Sequence, residues 1–179
     1  MTLAVTGATG FVGQALLDAA AKQGLTLRAL TRKPQPPRQG VTWIAGDLAD
    51  TDALAELVKG AEAVIHVAGL TTAPDMAAFE AGNVTGTLNL AEAALAAGVP
   101  RFVLVSSLSA REPELSLYGK SKARAEQVVK ASGLDWTIVR PPAVYGPRDD
   151  AMFEFFRAAR WGVVPMPAEG KASLIHAED

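Results

Sequence analysis

Apolar residues in this chain gather into short continuous runs, and between the runs they spread out to a spacing of three and four. Thr2 to Thr6 is the first such run, and after Gly7 to Gly10 the pattern turns helical through Phe11, Ala15, Leu16 and Ala19. Leu25 to Leu30 predicts a second strand, closed by Thr31, Arg32 and Lys33 and then by Pro34, Pro36 and Pro37, which cannot continue a sheet. Val41 to Ala45 predicts a third. Asp50 or Thr51 can cap a helix carrying Leu54, Leu57 and Val58, and Gly60 ends it before a fourth strand, Ala63 to Val67. A long helix from about Pro74 to Ala97 is expected to bury Leu88, Leu90, Ala91 and Leu95, and Gly98-Val99-Pro100 stops it. Phe102 to Val105 predicts a fifth strand, Leu117 to Ser132 a helix and Trp136 to Val139 a sixth strand. Pro141, Pro142 and Pro147 then impose an irregular loop before a last helix over Met152 to Trp161.

Continuous apolar strands separated by helices imply a parallel sheet covered on both faces, because each crossover helix must pack back onto the sheet. The expected fold is therefore α/β, a Rossmann-type doubly wound sheet in the order 3-2-1-4-5-6. The regular alternation stops near Arg140, which divides the chain into a sheet domain over 1–140 and a different segment over 141–179.

Composition narrows the function classes. A chain of 179 residues suits one domain with a substantial core. The formal charge of -2 leaves no broad basic surface for phosphate backbones, which argues against a nucleic-acid partner. Without cysteine there is no disulfide, thiolate nucleophile or thiolate metal site, and a reducing cytoplasm suffices. The apolar start lacks a basic leader and is interrupted by Gly7, Gly10 and Gly13, unlike a secretory signal, and no stretch is long enough to span a membrane. A soluble cytoplasmic protein is expected. No His/Asp/Glu spacing suits a metal, and His176 has no partner for one in the sequence.

Gly7-Ala8-Thr9-Gly10-Phe11-Val12-Gly13 lies between the first strand and the first helix, where a doubly wound sheet binds its ligand. Glycines there let the backbone turn and approach a pyrophosphate whose charge the helix N-terminus favours. The spacing departs from the Gly-x-Gly-x-x-Gly of many dehydrogenases, but the strand-turn-helix context still points to a dinucleotide. At the end of the second strand, where an acidic residue would hold the ribose hydroxyls of NAD, stand Thr31, Arg32 and Lys33, and no Asp or Glu occurs from Gln23 through Gly46. Arg32 suits a 2′-phosphate, so NADP(H) is the preferred cofactor and NAD(H) the alternative.

Tyr118 and Lys122 stand four apart on a predicted helix and therefore share one face. Ser106-Ser107 lies at the carboxyl end of the fifth strand, where ligands of open α/β sheets sit. Hydride transfer to a carbonyl needs a proton donor and a hydrogen bond to the developing oxyanion. A tyrosine with a neighbouring ammonium, together with a serine, supplies both.

With these segments assembled, the chain resembles the extended short-chain dehydrogenase/reductase family, of the epimerase/dehydratase-like kind. The resemblance rests on Val5 to Gly13, Gly46-Asp47-Leu48, His66-Val67-Ala68-Gly69, Asn83 to Leu90, the Tyr118-Lys122 pair and Arg140 to Pro147. It implies a catalytic Ser107, with Ser109 a substitute, together with Tyr118 and Lys122. It also implies a cofactor site of Gly7, Thr9, Gly10, Phe11, Val12, Gly13, Arg32, Asp47, Leu48, Val67, Ala68, Gly69, Tyr118, Lys122 and Pro141. Read without the resemblance, Asp47 is a turn or helix-cap residue, His66 is a packed histidine and Asn83 orients helix backbone. The resemblance gives Asn83 a supporting role near the catalytic water.

The resemblance implies an oxidoreductase acting on a small-molecule carbonyl or alcohol. A sugar-nucleotide epimerase or dehydratase on the same site and a non-catalytic NAD(P)H-binding sensor or assembly subunit are the alternatives. The interval from Ser107 to Tyr118 is shorter than in many of the sugar enzymes. The family also implies a homodimer formed through two long helices. In the family, a segment like Leu174 to Asp179 leads into further helices that enclose the substrate, so residues 141–179 are expected to be the start of a truncated substrate lobe.

Overall fold

The computed structural model describes residues 1–149, 152–162 and 172–179. Six parallel strands, β1 (Thr2–Thr6), β2 (Thr26–Thr31), β3 (Val41–Ala45), β4 (Ala63–His66), β5 (Phe102–Val105) and β6 (Trp136–Val139), form one sheet in the order β3-β2-β1-β4-β5-β6. The expected doubly wound order is what the chain adopts. Leu25 and Val67 fall just outside the strands predicted to contain them.

Side chains of a strand alternate between faces, and β1 shows what that does to the core. Leu3 and Val5 join a cluster with Leu17 and Ala20 of α1 (Phe11–Lys22) and with Leu27 and Ala29 of β2. Ala4, between them, joins the cluster on the opposite face, with Leu54 and Leu57 of α2 (Thr51–Val58) and with Phe102 and Leu104 of β5. Of the two candidate caps for α2, Asp50 is the one used, its Oδ1 accepting from the Ala53 N–H at 3.0 Å.

The long central helix runs as α3 (Met76–Phe79), a π-helical segment over Glu80–Thr85, and α4 (Gly86–Ala96). Thr87, Leu90, Ala91 and Ala94 form its buried stripe, whereas Leu88 and Leu95 are 41% and 54% exposed, which corrects the predicted stripe. Positions 87, 90, 91 and 94 follow the helical period onto one face, and 88 and 95 lie about a quarter turn round from it. Apolarity alone marks both stripes. Small side chains mark the buried one, because Ala91 and Ala94 let the helix lie close to α2 beside it in the core.

After the 3-10 turns Leu108–Arg111 and Pro113–Leu115 comes α5 (Leu117–Ala131), which packs against both turns and the π segment. Within the proline-rich loop, β7 (Ala143–Tyr145) pairs in parallel with β8 (Leu174–His176), a second small sheet where no strand was expected. Three residues are too few to display a period. The last helix, α6 (Phe153–Ala159), is shorter than its predicted span. Parts of the proposed 141–179 segment, at 150–151 and 163–171, lie outside the described residues. Among the described residues no helix is long and apolar enough to cross a membrane.

Candidate functional site

Because the six strands run in parallel, the segments following β1, β4, β5 and β6 all emerge at one edge of the sheet. Gly7 has φ +73°, and a Cβ there would stand 2.5 Å from the Ala68 amide nitrogen. A Cβ on Gly13 would stand 2.0 Å from the Gly7 carbonyl oxygen. These two glycines lock the β1–α1 turn, the first turn of α1 and the Val67-Ala68-Gly69 segment together, backbone against backbone. Gly10 differs, since a Cβ there would meet only the Gly7 oxygen at an ordinary 3.4 Å. Thr9 and Gly10 are exposed, no side chain caps α1, and its first turn carries no acid. The leading N–H groups, at Phe11 and Val12, are thus presented at the positive end of a helix beside an open glycine, a cradle that fits a diphosphate.

Behind this cradle runs a buried chain of hydrogen bonds. The Ala68 N–H donates to Thr6 Oγ1 at 3.3 Å, and Thr6 Oγ1 lies 2.6 Å from His66 Nδ1. His66 Nε2 lies 2.9 Å from Thr87 Oγ1, which donates to the Asn83 carbonyl at 2.6 Å. Since the Thr87 hydroxyl spends its proton on Asn83, it accepts from His66, so the imidazole carries its hydrogen on Nε2 and Nδ1 accepts from Thr6. Burial, aided by the nearby Lys122 charge, pushes His66 down to about 3, and it is a neutral, packed histidine, as read from sequence. Asn83, also buried, holds the next loop: its Oδ1 accepts from the Leu70 N–H at 2.6 Å, and its Nδ2 donates to the Leu70 carbonyl and to Ser121 Oγ. It therefore ties the cofactor-side loop to α5.

Ser107 follows β5, and its Oγ accepts from the Ser109 N–H at 3.2 Å, which leaves the hydroxyl proton free to donate. Ser107, Ser109 and Tyr118 line one cleft of about 590 Å³, walled further by Leu108, Glu112, Leu115, Pro142 and Ala143. Tyr118 is half-buried, its ring tilted 49° against Phe79 at 6.3 Å. One turn on, the Lys122 amine is buried and donates to the Val105 carbonyl at 2.9 Å, and a Cβ on Gly69 would stand 3.4 Å from it. Burial pulls Lys122 down to about 8, with Glu126 pulling the other way, so it is still largely protonated at neutral pH.

The remaining predicted positions are spread around the same edge. The Pro141 carbonyl accepts from the Leu108 N–H at 2.9 Å and so fixes the start of the turn after Ser107. Asp47 is exposed and its Oδ1 accepts from the Ala49 N–H at 2.8 Å, the turn role read from sequence. Leu48 packs against the core and its carbonyl accepts from Asn89. Thr31, at the end of β2, spends its hydroxyl on its own turn, donating to the Lys33 carbonyl at 2.7 Å. Arg32 is exposed and makes no ion pair among the described residues.

Sequence reasoning missed Glu126. It sits on α5 four residues beyond Lys122, 1% exposed, accepting from Ser106 Oγ at 2.6 Å and from Arg140 through both carboxylate oxygens. The available signal was an acid on the apolar face of an otherwise polar helix, at the same four-residue spacing that links Tyr118 to Lys122.

Comparison with known proteins agrees with this fold. A family model described as NAD(P)H-binding matches residues 7–152. A ceramide reductase of Caulobacter vibrioides is 46% identical over 99% of this chain and 57% of its own length. A 2-alkyl-3-oxoalkanoate reductase of Stenotrophomonas maltophilia is 33% identical over 95% of this chain and 59% of its own. Among solved structures, MoeE5 in complex with UDP-glucuronic acid and NAD superposes with a TM-score of 0.82 at 30% identity, covering 98% of this chain and 68% of that one. The chain thus spans a little over half the length of the curated relatives it matches.

Proposed function

Because the chain belongs to the NAD(P)H-binding family, and within it to the extended short-chain dehydrogenases/reductases, we propose that it is the cofactor-binding and catalytic part of an NAD(P)-dependent oxidoreductase that reduces a ketone or oxidises the corresponding alcohol. The observation that carries this reading is the meeting of Ser107 and Tyr118 on one cleft with the buried Lys122 one turn behind. When bound, the nicotinamide supplies the hydride donor or acceptor. Gly7, Thr9, Gly10, Phe11, Val12 and Gly13 would hold its diphosphate, and Val67, Ala68, Gly69 and Pro141 would flank it. Asp47 and Leu48 would lie toward its adenine.

The chain's own side chains then manage the oxygen and its proton. Ser107 donates its free hydroxyl proton as a hydrogen bond to the substrate oxygen and so positions it. Tyr118 delivers its phenolic proton to that oxygen in reduction and takes it back in oxidation. The Lys122 amine, buried one turn behind and held by the Val105 carbonyl, places a positive charge on the same helix face as the group that gives up the proton. Leu108, Leu115, Pro142 and Ala143 make most of the cleft wall apolar, which supports a carbonyl carried on an apolar chain over a sugar nucleotide. Reductases of acyl-chain substrates among the relatives support the same choice.

Three further assignments belong to this proposal. The exposed, unpaired Arg32 holds a 2′-phosphate, so NADP(H) is preferred over NAD(H). Residues 141–179 begin the substrate lobe, and the exposed Phe153, Phe155, Phe156 and Trp161 on and beside α6 are the face that such a lobe covers. Leu88 and Leu95, exposed on α4, form a contact between two copies of the chain in the cytoplasm.

The test is Tyr118→Phe, assayed by cofactor absorbance on long-chain ketones. Turnover is expected to fall by about 10²-fold or more, with cofactor affinity held within a few-fold, because the proton donor is lost and the diphosphate cradle is untouched. Near wild-type turnover in the variant overturns the mechanism. Activity without a stoichiometric absorbance change would replace oxidoreduction by epimerisation or dehydration.

A further inference from the structure

Glu126 is the most deeply buried carboxylate among the described residues, and no step above uses it. Tyr118, Lys122 and Glu126 follow one another at four-residue intervals along α5 and therefore share a face. The Glu126 carboxylate accepts from Ser106, the residue directly before Ser107 at the end of β5, at 2.6 Å. It accepts as well from Arg140, the residue directly before Pro141 at the end of β6, with Arg140 Nε at 2.8 Å and Nη2 on the second oxygen. Lys130, one turn further along α5, stands 3.5 Å from the same carboxylate. One side chain thus reaches the two strands whose ends carry both walls of the substrate cleft.

We propose that Glu126 is a positioning residue for the Tyr118–Lys122 pair: its carboxylate fastens α5 to the ends of β5 and β6 and stands as the buried counter-charge one helical turn behind the Lys122 amine. A buried carboxylate with one cationic partner would usually be no more than a structural ion pair. What separates Glu126 from that case is its place among three cations of different burial, Arg140 and Lys130 partly exposed and Lys122 buried. Arg140 is 38% exposed in its side chain and pairs with it bidentately, and Lys122 is buried and donates to a backbone carbonyl. Arg140 fixes the carboxylate, and the carboxylate then acts on the amine.

Among the described residues, the titratable groups that the elements packed around the amine set near it are few. On α5 itself they are Glu126, with Tyr118 as the other titratable group. From β4 comes His66, which is neutral. The π segment contributes Glu80, which is paired with Arg124 at 2.5 Å. Beyond Glu126 lie Arg140 and Lys130. Burial is the main influence lowering Lys122, and Glu126 is what opposes it. Burial also pushes the Glu126 carboxyl up, but the hydrogen bonds from Arg140 and Ser106 and the charges of Arg140 and Lys130 outweigh it, and the group is held below the usual carboxylate range. It is therefore ionised throughout the range in which Lys122 titrates.

The inference rests on the catalytic reading of Tyr118 and Lys122, but its test needs neither substrate nor cofactor. Carbon-13 NMR of lysine-labelled protein follows the Lys122 side chain through its titration, with Lys122→Arg identifying the signal. Glu126→Gln removes the counter-charge and is expected to lower the Lys122 midpoint by about half a pH unit or more. Arg140→Met frees the carboxylate from its partner and is expected to move the midpoint the opposite way. Opposite shifts support the proposal, and if Glu126→Gln does not fold, Glu126→Asp, which draws the charge back along the helix, is expected to give a smaller downward shift and decides it. An unchanged midpoint in either folded variant, or two shifts of the same sign, overturns it. Loss of turnover in Tyr118→Phe stands or falls separately, so the two readings cannot be confused.

Discussion

At the scale of single residues, what was legible in the sequence was whatever local geometry demands. Gly7 and Gly13 could be found because only an absent side chain lets two backbones touch, and the surrounding strand and helix fix where that must occur. Tyr118 and Lys122 could be found because a spacing of four survives into any helix. Glu126 could not be placed the same way, since its partners Ser106 and Arg140 are 20 and 14 residues away and come together only when β5, β6 and α5 assemble. Thr31, at the end of β2, spends its hydroxyl on its own turn. Arg32, beside it, makes no ion pair among the described residues and is the proposed contact for a 2′-phosphate. A charge-assisted hydrogen bond of about 1.5–3 kcal/mol would make NADPH bind roughly ten- to a hundred-fold more tightly than NADH. Fluorescence titration of both cofactors should show that gap in the wild type and its collapse in Arg32→Ala. Equal affinities in the wild type would remove Arg32 from the site.

At the scale of elements, strands and helices were recognisable from period alone, and the faces they bury were recognisable only where a helix has one apolar stripe. α4 has two, and the choice between them depends on the sheet beneath it. Leu90 is fully buried and Leu95 is not, although both are leucines on the same helix five positions apart. Leu90→Ala should therefore cost about 2–5 kcal/mol of unfolding free energy, from lost burial plus the cavity left behind. Leu95→Ala should stay within about 0.5 kcal/mol at concentrations low enough to keep two copies of the chain apart. Urea denaturation of the two variants measures this directly, and similar losses would mean that both stripes are covered. The π segment escaped notice for a related reason. An i→i+5 turn leaves no mark on hydrophobic spacing over six residues, yet it sets the buried Asn83 where its side chain can clamp Leu70.

At the scale of the whole molecule, burying a neutral histidine in the centre of the sheet makes stability depend on pH. An unfolded chain takes up a proton on this residue near 6.5, and folded His66 does not until about 3. Between those values the unfolded state holds the extra proton, so stability that is complete above about 6.5 is lost as the pH falls toward 3, with a limiting slope of about 1.4 kcal/mol per unit. The lowered carboxylates, Asp18 and Glu126, release their contribution only below their ordinary values of 3.8 and 4.5, so the interval from pH 6.5 to 5 isolates the histidine. Unfolding free energies at pH 7.5 and pH 5 should differ by about 2 kcal/mol, and His66→Gln should flatten the difference. A wild-type curve that is flat over this range would mean that the imidazole is not held neutral. The position of β1 has a further consequence, for the order in which the molecule can be made. Of the six strands this is the first to leave the ribosome and also one of the two central ones, with β2 on one side and β4 on the other. It ends at Thr6, and its second neighbour ends at His66, 60 residues later. At about 5–20 residues per second, roughly 3–12 s of synthesis pass before that neighbour exists. Throughout that interval the edge of Thr2–Thr6 that β4 will take has no partner strand, and an open edge of that kind is a template for pairing with another chain.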